Sequence, residues 1–372
     1  MMKRELNIIR EQIDLYKIDL SELTVITECA TGAYSYNIFT LLLSGAKSVV
    51  AYGKDTRFGS FYEAKKIVED IAKNTGINIS NLEITNSLSD SQIKSADIIT
   101  NSGLLRPLNS KLLSKMKKTA VIPLMWETWE FTENELDLNS AIQNDILVLG
   151  TNEGHEKLNI YPISGILAID ILLKMGLEVY KNKVIVLGSG IIGKSISKCL
   201  EKNDVEYVWF SKDKTDGSHF SYDDFLNFKK IIKYFDAIIF AEHQFAVDII
   251  YDVFGYSFSD IHHENPEIKV GIISGNINIE ELQKSNLDYF PKNIMPFGVL
   301  THQPYNLGPR PVLELFAAGV KVGEQMARCR ISGMSLEKTI KFVLKKTLAM
   351  DFVGESYMQR YKRVRFINNE KS

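Results

Sequence analysis

The sequence predicts an α/β protein with two mostly parallel sheets and C-terminal helices packing back on the first domain. Three observations carry that prediction. Short β-branched runs alternate with helix-length stretches through the first 150 residues or so, which implies crossover connections. A second series of the same kind opens at Lys183. After Pro296 the strand pattern gives way to long helical stretches.

At roughly 150 residues per domain, 372 residues suit two or three domains. The expected division is 1–160, 161–305 and 306–372. Lys and Arg number 44 against 46 Asp and Glu, a net charge of −2, so no global electrostatic basis for nucleic-acid binding exists. With 45% hydrophobic and 24% charged residues, disordered and fibrous classes are excluded. Cys29, Cys199 and Cys329 are odd in number and widely spaced, which fits neither a disulfide framework nor a zinc cluster; no metal is expected. A reducing compartment follows. No run of 18 apolar residues marks a membrane span, and the N-terminus lacks the apolar core of a signal peptide. A soluble cytoplasmic protein is expected.

Taken in order, the N-terminus reads as an amphipathic helix. Leu23–Glu28, Ser48–Gly53, Leu82–Thr85, Asp97–Asn101, Ala120–Met125 and Ile146–Gly150 are apolar runs of strand length, with helices expected at Ala33–Leu43, Phe61–Lys73 and Ser110–Lys117. The apolar-periodic stretch Ser164–Met175 leads into Lys183–Leu187. Then come Ile192–Glu201 as a helix and Tyr207–Phe210, Ala237–Phe240 and Val270–Ser274 as strands. Pro311–Arg328 and Leu336–Met350 are read as helices, and the basic, polar Arg360–Ser372 as a tail that frays or reaches a neighbouring subunit.

The sharpest motif is Gly188-Ser189-Gly190-Ile191-Ile192-Gly193-Lys194, directly after the apolar run Val184–Leu187 and opening a helix. In that context a GxGxxG pattern is a dinucleotide fingerprint rather than a plain turn. Gly188 permits the tight turn, Gly190 the approach of a pyrophosphate, and Gly193 close packing of helix on strand. Amides at the helix start, with the helix dipole, hold phosphate. The second domain is therefore Rossmann-like. At the end of the next strand, where an NAD site places an acid, stand Ser211 and Lys212, with Asp213 following. A hydroxyl and an ammonium suit a 2′-phosphate, so the balance tips slightly to NADP, with NAD the alternative if Asp213 takes the acidic role.

The order of these parts resembles the D-2-hydroxyacid dehydrogenase (formate/glycerate dehydrogenase-like) superfamily over roughly residues 90–320. The resemblance rests on Ala96–Asn101, Leu112–Lys117, Asp137–Ala141 and Ile146–Asn152 ahead of the fingerprint. It implies two Rossmann-like domains, the catalytic one split around the cofactor domain. Some features are similar to S-adenosylhomocysteine hydrolase: Glu127-Thr128, Asn152-Glu153 with Lys157, and Gly193-Lys194. Ser274-Gly275-Asn276 resembles the cofactor-facing late loop of both branches, without the arginine the dehydrogenases carry there. Tyr161, Met295 and Ser211 stand where the hydrolase has an Asp, a His and its ribose acid. The resemblance therefore implies fold and cofactor, not substrate.

Hydride transfer to or from an alcohol needs a group that handles the hydroxyl proton. His302 falls near the place of the dehydrogenases' catalytic histidine. Glu127, after an apolar strand and between Trp126 and Trp129, is a candidate acid, and Lys157 a group that polarises a substrate oxygen. Asn152 and Glu153 are expected to position substrate, and Arg310 to pair with its carboxylate. Gly275 and Asn276 join the glycine turn as cofactor residues. The leading reading is an NAD(P)-dependent oxidoreductase acting on a small polar metabolite, a carbonyl, imine or hydroxy acid, as a homodimer. A hydrolase or lyase using tightly bound NAD for transient oxidation, and a catalytically reduced dinucleotide sensor or scaffold, are the alternatives.

Overall fold

The computed structural model describes residues 2–369, and the chain divides into two units: Met1–Asn159 with Pro309–Ser372, and Ile160–Gly308.

In the first unit, β1 (Thr24–Glu28), β2 (Ser48–Tyr52), β3 (Leu82–Thr85), β4 (Ile98–Ile99), β5 (Val121–Pro123) and β6 (Leu147–Thr151) pair in parallel in the order β6-β5-β4-β1-β2-β3. Thr24 faces Ser48, and Val25 faces Ile98. β5 and β6 are buried end to end, as parallel strands covered on both faces must be. The six strands expected by sequence in this unit are present, but β4 and β5 are shorter than Asp97–Asn101 and Ala120–Met125. The Asp97 carboxylate accepts the Thr24 amide at 2.8 Å, so its side chain is spent on the neighbouring strand's start. The helix Phe61–Thr75 begins at a reciprocal cap between Ser60 and Glu63 and ends at Gly76, whose φ of 70° only glycine adopts freely.

The second unit holds β7 (Lys183–Leu187), β8 (Glu206–Ser211), β9 (Phe220–Ser221), β10 (Ala237–Ala241), β11 (Lys269–Ser274) and β12 (Asp288–Phe290). All pair in parallel, in the order β12-β11-β10-β7-β8-β9. The order reverses between β7 and β10, and ligands of such sheets bind beyond the carboxyl ends at that point. Along β7, Val184 and Val186 join the core under the helices Ile163–Lys174 and Gly190–Lys202, while Ile185 and Leu187 face an aromatic core in which Phe228 and Phe254 stack at 4.6 Å. β9 and β12, two and three residues long, are too short for alternation to reveal.

The chain then returns to the first unit through the helix Arg310–Ile331. This helix lies against β5 and its following loop: a Cβ on Gly319 would sit 2.4 Å from the Met125 sulfur, and one on Gly323 2.8 Å from Pro123 Cγ. The expected helix Leu336–Met350 stops at Lys346. The Thr347 hydroxyl donates to the Val343 carbonyl and accepts the Ala349 amide, turning the chain so that β13 (Ala349–Met350) pairs antiparallel with β6. The expected fraying tail is helical over Tyr357–Asn369, tied by Tyr361 and Arg365 to Asp145; its last three residues lie outside the described ones. Among the described residues no helix is long and apolar enough to cross a membrane.

Candidate functional site

In the second unit the glycine turn joins β7 to the helix Gly190–Lys202. A Cβ on Gly188 would stand 2.7 Å from the Ala241 carbonyl oxygen, and one on Gly193 2.3 Å from the Gly188 carbonyl oxygen and 2.6 Å from Trp209 Nε1. The Trp209 indole donates to that same Gly188 carbonyl at 2.6 Å, clamping helix to sheet. Gly190 has φ of 65°, the left-handed conformation. Ser189 caps the helix in extended conformation. Ile191 and Lys194 are exposed in its first turns.

Two carboxylates address this turn. Glu242, directly after β10 and fully buried, accepts from the Ser189 amide (3.1 Å), the Ser189 hydroxyl (2.6 Å), the Tyr222 hydroxyl (2.5 Å) and the amides of Gln244 and Phe245. Burial, then the Glu242 charge, pushes the Tyr222 phenol far up, which keeps it a donor. Asp216 accepts from the Gly190 amide at 2.7 Å and from the Ser211 hydroxyl at 2.5 Å. Sequence reasoning missed both acids. Asp213, the nearest one after β8, instead caps a short 3₁₀ turn by accepting the Thr215 amide, and that turn brings Asp216 back to the glycines. The signal was there in Gly217, whose φ of 91° closes the turn.

Ser211 is buried, its hydroxyl taken by Asp216. Lys212 is exposed, its ammonium 3.7 Å over the Phe245 ring, and its amide donates to Ser189 Oγ. Of the pair expected to meet a 2′-phosphate, the Ser211 hydroxyl is thus bonded within the protein and the Lys212 ammonium stands at the surface. Gly275 is buried just past β11, and Asn276 donates to the Ala246 carbonyl. His302 is 2% exposed, its Nε2 2.7 Å from Asp170 on the helix Ile163–Lys174 and its ring edge-on to Phe290. Burial holds its pKa below the usual imidazole value, with Asp170 pulling the other way. The His302 ring thus joins its loop to that helix through Asp170.

In the first unit, the carboxyl ends of β1, β4, β5 and β6 run into loops that carry a polar cluster. Glu127 is buried; its carboxylate accepts the Trp129 indole at 2.6 Å and the Glu153 amide at 3.1 Å. So Glu127 and Glu153, named from sequence, are brought together. Desolvation, then Glu130 and Glu127, raises Glu153 well above the usual carboxyl range. Glu130 is pushed up to about 7 by desolvation, then by Glu127 and Glu135, although its side chain remains open to solvent at the rim of the cluster. Arg106 lies 3.7 Å over the Trp126 ring, donates to Glu135 at 2.6 Å and reaches the Asn101 carbonyl at 3.4 Å. Glu28, buried at the end of β1, accepts the Leu104 amide and is raised by burial, with that amide and Arg106 opposing. Arg106 is a residue that sequence reading did not select.

Other sequence candidates bond to residues outside this cluster. Asn152 closes an Asx turn onto the Gly154 amide while its own amide donates to the Leu348 carbonyl. Lys157 is exposed; its amide donates to His155 Nδ1 and its carbonyl accepts Tyr16. Arg310 is engaged by Glu314 at 2.9 Å and Glu11 at 3.4 Å, so the guanidinium expected to meet a substrate carboxylate is paired on the helix surface.

No protein-family model matches the sequence, and no curated protein matches it. Among solved structures, the chain is similar to a dipicolinate synthase chain of Bacillus subtilis, with TM-score 0.53 and 12% identity over 82% of this chain and 96% of that one. It is also similar to a dipicolinate synthase chain of Bacillus halodurans, with TM-score 0.51 and 11% identity over 80% and 96%. An NAD-dependent formate dehydrogenase of Staphylococcus aureus, in complex with NAD, is a more distant likeness at TM-score 0.45 and 11% identity over 85% and 97%. At these identities the likeness to the two synthase chains shows the fold alone.

Proposed function

We propose that this protein is an NAD-dependent oxidoreductase that moves a hydride to or from a small polar metabolite. The observation that carries the reading is the glycine turn at the strand-order reversal with Asp216 on the Gly190 amide. Gly188 and Gly193 let strand, turn and helix pack with no room for a Cβ, and the start of the helix Gly190–Lys202, its Gly190 amide held by Asp216, offers its following amides and the positive end of a dipole to a pyrophosphate. Asp216 is the acid for ribose hydroxyls. A 2′-phosphate would meet its charge, which favours NAD over NADP and reverses the expectation built on Ser211 and Lys212. Gly275 and Asn276, past β11, would line the same crevice.

When bound, the dinucleotide supplies the hydride acceptor or donor. His302 is assigned a positioning role, tying the loop after β12 to the helix Ile163–Lys174 through Asp170. The test is a fluorescence titration with NADH and NADPH after bound cofactor has been excluded by mass spectrometry. Saturable NADH binding, tighter than NADPH by tenfold or more and unaltered in Lys212→Ala, is expected on the scale of charge-assisted hydrogen bonds. Failure of both to bind would end the cofactor assignment.

A further inference from the structure

Two amides of the glycine turn are already bonded within the second unit. The Ser189 amide donates to Glu242 at 3.1 Å, and the Gly190 amide to Asp216 at 2.7 Å. A helix start ordinarily offers its first N–H groups to phosphate, and here both of these are held by carboxylates. A diphosphate at this turn therefore gains from a donor supplied by another segment. The Lys212 ammonium is engaged elsewhere, 3.7 Å over the Phe245 ring.

The loop after β10 carries such a donor. Gln244 is exposed, and the nitrogen of its side-chain amide is the atom nearest the turn. A Cβ on Gly190 would stand 2.5 Å from Nε2, against 3.3 Å from Cδ and 3.6 Å from Oε1. The N–H groups of that amide thus lie over the middle glycine, where the bare backbone lets a pyrophosphate approach. Among the described residues the Gln244 side chain has no hydrogen-bond partner.

The backbone beneath it is fixed. One oxygen of the buried Glu242 carboxylate accepts the Gln244 amide at 2.8 Å and the Phe245 amide at 3.2 Å. Its other oxygen accepts the Ser189 amide and hydroxyl. A single side chain thus joins the loop to the turn, and the exposed Gln244 side chain is left to adjust to a ligand.

We propose that Gln244 is a phosphate-binding residue, its side-chain amide donating to the diphosphate of a bound nucleotide in place of the turn amides that Glu242 and Asp216 hold. The ligand class is a nucleoside diphosphate or a dinucleotide built on one. The proposal rests on the oxidoreductase reading for the identity of that ligand as NAD, but not for the contact with its diphosphate.

The test uses the whole protein, freed of bound cofactor, as wild type, Gln244→Met and Gln244→Glu. NADH binding is followed by fluorescence and ADP binding by calorimetry. Methionine keeps the length of the side chain and removes the donor; glutamate keeps the shape and adds a charge. Gln244 is exposed, so both variants are expected to fold, which circular dichroism checks. Gln244→Met is expected to weaken NADH and ADP alike by about tenfold, the size of a hydrogen bond to a charged group, and Gln244→Glu to weaken both further. Unchanged affinities in both variants would overturn the proposal and leave the oxidoreductase reading standing. Tighter binding by Gln244→Met would do the same, by showing that the side chain obstructs the turn. Wild-type protein that binds ADP but not NADH, with the variants in the expected order, supports the proposal while removing the oxidoreductase reading. Wild-type protein that binds neither ligand overturns both.

Discussion

The Asp216 carboxylate accepts the Gly190 amide at 2.7 Å, placing a negative charge at the middle glycine of the turn that opens the helix Gly190–Lys202. The same carboxylate holds the Ser211 hydroxyl at the end of β8, so the strand end and the glycine turn are joined through one side chain.

Asp216→Asn keeps the shape and removes the charge. NADH affinity is expected to fall about tenfold or more, since a hydrogen bond to a charged group is worth ~1.5–3 kcal/mol, while NADPH affinity holds or rises. Paired titrations of variant and wild type read the selectivity; an equal loss for both cofactors would contradict the role given to Asp216.

Gly190→Asp introduces a Cβ 2.5 Å from Gln244 Nε2 at a φ of 65°. Gln244 is a flexible side chain and can give way, while the left-handed backbone costs a non-glycine residue about 1–2 kcal/mol. The protein is expected to stay folded by circular dichroism and to lose dinucleotide binding, because a second carboxylate would stand beside Asp216. Unchanged NADH affinity would sink the fingerprint assignment.

Glu130 gives stability a pH dependence whose sign follows from its raised pKa. Between the ordinary carboxyl value of 4.5 and about 7 the folded protein binds more protons at this site than the unfolded chain does. This contribution is present at low pH and is lost as pH rises through that window. Glu153, shifted the same way, adds to it. His302 works oppositely: its lowered pKa gives stability that is present above 6.5 and lost as pH falls through the folded value. The expected result is that Glu130→Gln raises the urea midpoint at pH 8 more than at pH 5. A midpoint difference independent of pH would rule out the raised pKa.

His302→Asn removes the buried contact with Asp170. If the ring is a tether, the urea midpoint falls by the equivalent of about 1–3 kcal/mol while cofactor binding and turnover stay within about tenfold of wild type. A general acid or base contributes roughly 10²–10⁴-fold, so a loss on that scale with unchanged stability would return His302 to the chemistry.

Continuous apolar runs at Val121–Pro123, Leu147–Thr151 and Lys183–Leu187 are legible because a buried parallel strand needs apolar side chains on both faces, and that demand is written in adjacent residues. The glycine turn is legible for a related reason: contacts of 2.3–2.7 Å at Gly188 and Gly193 leave no room for a Cβ, so local geometry selects the residue type. Candidates assigned by position alone met different surroundings. Arg310 found Glu11, some three hundred residues earlier in the chain, and His302 found Asp170. Asp216 reached Gly190 by a 3₁₀ turn whose five-residue reach past Ser211 no strand pattern announces. Glu28 ends β1, while Asn101, Glu130 and Glu153 follow β4, β5 and β6 far apart in sequence, and parallel pairing of these strands aligns their carboxyl ends at one edge. Periodicity and backbone sterics act between near neighbours, so sequence alone determined the strands, the crossovers and the glycine turn. Charge and hydrogen bonding act through space, so only the tertiary structure decided which carboxylates influence one another and which arginine reaches them.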